Sequence, residues 1–126
     1  VEERTPIRGA LNRIKNFSAE SDGTFDFETG ESVSFNNGYQ VSFQQSTINY
    51  TDEEYDNLTN EIAERTKSNA YIGYFGESEI SFHCQDLETA VEIMKKYNQH
   101  SIYDWKTGKI IENKINYDKE KNPIKR

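Results

Sequence analysis

A chain of 126 residues, 33% hydrophobic yet carrying eight Tyr, seven Phe and one Trp, has material for one aromatic-rich core and not for two. It holds no run of about 18 apolar residues and opens on no charged-then-apolar leader, so neither a membrane span nor a signal peptide is expected, and a cytoplasmic protein is. The net charge of −7 is unevenly distributed: Asn16 through Glu64 contain eleven carboxylates and no Lys or Arg, whereas Lys95 to Arg126 carry nine basic residues against four acidic.

In chain order, Thr5 followed by Pro6 reads as a helix start, and Ile7, Leu11, Ile14 and Phe17 recur at helical spacing, predicting a helix over 6–17. Ser21-Asp22-Gly23 ends it. Three alternating runs follow, at Phe25 and Phe27, Val33 and Phe35, then Tyr39, Val41 and Phe43. The turns between them are rich in Gly and Asn, which predicts a three-stranded meander with its aromatic side inward and Asp26, Glu28, Ser34, Gln40 and Ser42 facing solvent or a partner. Thr51 and Glu54 form a capping box, with Tyr50 and Tyr55 placed as a hydrophobic staple, so a second helix is predicted over 52–67. Tyr55, Leu58 and Ile62 make its buried side and Glu53, Asp56, Asn60 and Glu64 its polar side.

Strands over 70–75 and 79–84 flank Gly76-Glu77-Ser78. A third helix starts at the Asp86 cap and buries Leu87, Ala90, Val91, Met94 and Tyr97, and a hairpin of 101–105 with 109–115 follows. The order over 39–105 is β-α-β-β-α-β, so the fold class is α+β: an antiparallel sheet with helices on one face and a ferredoxin-like core, extended by an N-terminal helix and hairpin and a C-terminal strand. One domain covers 1–115, and the polar, basic segment 116–126 is expected to be a flexible tail. The chain starts at Val1 with no initiator Met, leaving the natural N-terminus open. The Asn-x-Ser/Thr triplets at Asn16, Asn49 and Asn57 read as chance in so Asn- and Ser-rich a chain.

Chemistry is sparse. His83, Cys84 and His100 lack metal-ligand spacing, no glycine-rich phosphate loop is present, and neither a metal nor a cofactor is expected. His83 and Cys84 are neighbours on a predicted strand, so their side chains point to opposite faces and cannot form a nucleophile–base pair. Tyr103 and Trp105 would be contact anchors if exposed; the simpler reading puts both in the core or under the basic tail.

The acidic segment carries the functional weight. It would repel nucleic acid and suit a basic partner. The candidate partner-binding residues are Asp26, Glu28, Glu31, Asp52, Glu53, Asp56 and Glu64, with the bland alternative that they form a solvated face.

The segments Gly38-Tyr-Gln-Val-Ser-Phe43, Ile80-Ser-Phe-His83 and Tyr97-Asn-Gln-His-Ser-Ile-Tyr-Asp-Trp105 resemble, as a set, a family of small acidic proteins of largely unassigned function carried on conjugative and phage-like mobile elements of Gram-positive bacteria. The resemblance covers about 22–112 and carries no catalytic motif. It implies an anti-defence setting, anti-CRISPR or antirestriction. The expected function is therefore inhibition of a nucleic-acid-handling host complex, a CRISPR effector or restriction enzyme, by occupying its basic channel, without direct contact to nucleic acid or membrane and without catalysis. Two alternatives stand beside it: an accessory domain of a larger mobile-element protein, and a small hydrolase or nuclease using His83 or His100.

Overall fold

The computed structural model describes residues 6–43, 50–97 and 99–113. Thr5 and the segment 114–126 lie outside them. The elements are α1 (Ala10–Lys15), β1 (Gly23–Asp26), β2 (Ser32–Val33), β3 (Tyr39–Phe43), α2 (Asp52–Thr66), β4 (Ala70–Tyr74), β5 (Ser78–Cys84), α3 (Leu87–Lys96), β6 (Ser101–Asp104) and β7 (Lys109–Glu112). The strands form one sheet in the order β2-β1-β4-β5-β3-β6-β7, with every neighbouring pair antiparallel. Its central run β4-β5-β3-β6, crossed by α2 and α3, is the split β-α-β arrangement expected from the element order. The β1–β2 hairpin extends one edge and β7 the other. Among the described residues no helix is long and apolar enough to cross a membrane.

α2 begins where its capping box places it: the Thr51 hydroxyl accepts the Glu54 N–H, and the Glu54 carboxylate accepts the Thr51 N–H. α3 starts on Asp86, whose carboxylate accepts the Thr89 N–H. Its inward stripe is Ala90, Ile93, Met94 and Tyr97, while Leu87, expected inward, is 42% exposed.

Two expectations are corrected by long-range contacts. α1 spans Ala10–Lys15 and not 6–17, because Gly9 takes a left-handed conformation (φ 68°) and the N–H groups of Gly9 and Ala10 are received by the two Asp56 oxygens, each at 3.0 Å. Asn60 fastens Ile7 alongside, accepting its N–H at 2.7 Å and donating to its carbonyl at 2.9 Å. The polar side of α2 is thus partly spent on holding the N-terminal segment. The three-stranded meander is likewise replaced: β1 pairs with β2 and β4, whereas β3 pairs with β5 and β6. β3 lies inside the sheet, with Gln40 opposite His83 of β5 on one side and Tyr103 of β6 on the other. Asn36-Asn37-Gly38 therefore serves as a crossover into the sheet centre.

All three helices cover the same sheet face. Val41, Phe43, Ala70, Ile80, Phe82, Cys84 and Ile102 point into one cluster with Leu11, Ile14, Ile62, Ala90 and Met94. Phe43 is its hub, with ring centroids 5.3 Å from Tyr55, 5.8 Å from Tyr50 and 4.9 Å from Tyr97, and its carbonyl accepts the Tyr55 hydroxyl at 3.2 Å. Strand alternation sends the other side chains, among them Thr24, Gly73, Glu79, Ser81, Gln40, Ser42 and Tyr103, to the helix-free face.

Candidate binding surfaces

The acidic residues divide into two groups with different tasks. Asp26 ends β1, and its Oδ1 accepts the N–H groups of Glu28 and Thr29 at 2.8 Å, shaping the β1–β2 turn. Asp56 caps α1. Both carboxylates are engaged structurally, leaving Glu28, Glu31, Asp52, Glu53 and Glu64 exposed. Glu28 and Glu31 lie in the hairpin turn at one sheet edge. Asp52 and Glu53 sit in the first turn of α2, where the helix dipole favours them, and Glu64 lies near its end. Asp26 points to the helix-free face and α2 packs on the other, so these seven residues do not share one face of the sheet. Among the described residues the Lys and Arg side chains make one ion pair, Arg65 with Glu92, and none with these carboxylates.

The helix-free face holds a feature that the sequence did not announce: a cleft of about 510 Å³ running across the sheet, within the range of about 300–1,000 Å³ usual for ligand sites. Its floor is made of short side chains. Gly73 faces Glu79 in the register and Ser42 faces Ser81; a Cβ on Gly73 would lie 3.7 Å from both serine hydroxyls and from the Phe75 ring, in ordinary contact with all three. Trp105, Tyr103 and Ile110 border one side, Thr24, Val33 and Phe75 the other. Trp105 and Tyr103 are accordingly outside the helix-covered core, half-buried, with ring centroids 4.9 Å apart and edge-on.

A hydrogen-bond relay fixes part of the floor. Trp105 Nε1 donates to Gln40 Oε1 at 3.0 Å, and Gln40 Nε2 donates to Ser81 Oγ at 2.9 Å, crossing from β6 through β3 to β5. Gln40, expected to face solvent or a partner, is on the helix-free face and buried, its amide oxygen accepting from Trp105. Beside it stands Glu79, hydrogen-bonded to Ser42. Burial pushes the Glu79 carboxyl up from 4.5 to about 7; the Ser42 hydrogen bond acts in the opposite sense, and the nearby Glu77 charge adds to the rise. The described residues around the cleft include two carboxylates, Asp22 and Glu79, together with His100, and no Lys or Arg.

His83 and Cys84 point to opposite faces of the sheet. Cys84 is in the core, its thiol donating to the Asp86 carbonyl at 3.3 Å, and burial pushes its pKa upward, against thiolate formation. His83 lies on the opposite face, its ring stacked 3.8 Å from Phe35 and its Nε2 2.8 Å from the Asn37 carbonyl oxygen. Phe35 was expected inward; it sits instead on the helix-free side, edge-on to Tyr71 and Trp105. Among the described residues no group of three His, Cys, Asp or Glu side chains is placed to hold a metal. No family model, curated protein or solved structure matches the chain.

Proposed function

We propose that the protein is an acidic binding protein, not an enzyme, that inhibits a nucleic-acid-handling host defence complex of the CRISPR effector or restriction enzyme kind by occupying its basic channel. The observation that supports this reading is the exposed set Glu28, Glu31, Asp52, Glu53 and Glu64, without Lys or Arg partners among the described residues, in a stretch free of cations from Asn16 to Glu64. Such a field repels phosphate and draws in a cationic channel, and it does so at long range, where complementarity accelerates encounter. The resemblance to mobile-element proteins supplies the biological setting, a cytoplasmic one. Asp26 and Asp56 contribute charge, but their hydrogen bonds give them structural duties as well.

The test uses purified restriction enzymes and CRISPR effectors, with DNA cleavage as readout. Inhibition is expected at low ionic strength and should weaken as salt rises. The quadruple variant Glu28→Lys, Glu31→Lys, Glu53→Lys, Glu64→Lys should lose it while keeping its fold, since these side chains are exposed. Absence of inhibition across effectors, or full inhibition by the charge-reversed variant, rejects the reading.

A further inference from the structure

We infer that the cleft on the helix-free face is a second, more specific contact of this protein: a socket for an arginine side chain presented by its protein partner. The inference rests on the proposal that the partner is basic, and it adds a site that the exposed carboxylates do not include.

Three observations converge. The cleft is already formed, because Trp105 donates to Gln40 and Gln40 to Ser81, and Gly73 adds no side chain to the floor. Its borders are aromatic, through Trp105, Tyr103 and Phe75, the last 61% exposed at the rim. Its charge is one-sided among the described residues, with Asp22 and Glu79 present and no Lys or Arg around it. A planar guanidinium suits all three, since it stacks on aromatic faces and hydrogen-bonds to a carboxylate in its own plane. A phosphate or carboxylate ligand would meet the Asp22 and Glu79 carboxyls with no Lys or Arg beside them among the described residues, and a purely apolar ligand would gain nothing from either carboxyl.

Arginine binding requires Glu79 as carboxylate, which gives the site a signature. Glu79 at about 7 is part-protonated when the cleft is empty, and a guanidinium beside it favours the ionised form. Among the described residues the other ionisable groups around it are Glu77 in the turn before β5, Asp22 and His100 at the borders of the cleft, Tyr103 on β6 and, from the helix side of the sheet, Tyr55 of α2. Competition with one proton at that value predicts ~10-fold tighter binding at pH 8 than at pH 6.

Trp105 is the chain's one tryptophan, so its emission reports on this site. The experiment titrates the full chain with acetyl-Gly-Arg-Gly-amide, using acetyl-Gly-Gln-Gly-amide and adenosine as neutral comparisons. The expected result is a saturable change with the arginine peptide alone, ~10-fold stronger at pH 8 than at pH 6. In Glu79→Gln the pH dependence disappears and binding is weak throughout; Phe75→Ala, at an exposed position, weakens binding with the pH dependence intact. An unchanged emission, an equal response to the glutamine peptide or to adenosine, or wild-type binding by Glu79→Gln overturns the inference. The two proposals fail separately: inhibition of an effector that is undiminished in Glu79→Gln removes the socket and leaves the function, whereas peptide binding without inhibition of any effector removes the function and leaves the socket.

Discussion

Replacing Glu79 by Gln in the free protein isolates the energetic cost of a carboxyl placed on the cleft floor. In the folded chain this group titrates at about 7 against an ordinary value of 4.5, and at about 1.4 kcal/mol per pH unit the difference corresponds to about 3 kcal/mol. Glu79 is half-buried, so solvent screening reduces the figure, and about 2 kcal/mol is a fair expectation. The direction follows from proton counting. Between 4.5 and 7 the folded state keeps a proton that the unfolded state has released, so stability is fullest below 4.5, declines as pH rises, and is lost completely above about 7. Gln has the same shape, can still accept from the Ser42 hydroxyl and does not titrate. Urea unfolding followed by Trp105 emission at intervals from pH 4.5 to 8.5 should give a wild type that loses about 2 kcal/mol across the range relative to Glu79→Gln, with the variant the more stable at pH 8. Because both proteins share every other titrating group, the difference curve belongs to Glu79. A flat difference curve, or a variant less stable at pH 8, would show that the carboxyl is solvated and the cleft floor is not as described.

Two further substitutions test the contacts that displaced sequence expectations. Asp56→Ala removes both acceptors for the Gly9 and Ala10 N–H groups, so it should cost about 1–2 kcal/mol in urea unfolding and speed amide exchange in α1 before other elements; unchanged exchange there would refute the cap. Gly38→Ala places a methyl 2.5 Å from His83 Nε2 at a backbone φ of +87°, so it should destabilise by about 2 kcal/mol, and adding His83→Ala should recover only the steric part.

Elements with local signals were legible in the sequence. The Thr51–Glu54 box, the Asp86 cap and the β4–β5 hairpin each depend on residues within a few positions of one another, and the order of elements from Tyr39 onward led to the correct strand neighbours β4-β5-β3-β6. What failed involved distant partners. The Thr5–Pro6 start of the first helix competed with Gly9 and with two acceptors on α2, and the glycine-containing turn before β3 reads as a hairpin although β3 takes its neighbours from β5 and β6, far along the chain. The cleft is the extreme case. Ser42, Gly73, Glu79, Ser81 and Trp105 come from separate parts of the chain and share no motif, and the elevated Glu79 value exists only through burial that the sheet creates. The one available hint was alternation, which turns Gln40 and Ser42 to the outward side of their strand.

The place of β3 in the sheet also has a consequence during synthesis. Gln40 is flanked by His83 on one side and Tyr103 on the other, so this strand emerges from the ribosome long before either neighbour exists. Hairpins β4–β5 and β6–β7 can zip from nearby sequence, whereas the centre of the sheet must wait, with Val41 and Phe43 in water meanwhile. Such non-local pairing slows folding relative to a helical chain of equal length. The nascent chain therefore offers an apolar, unpaired strand in its first half, the feature that chaperones bind and that drives misassembly when they do not.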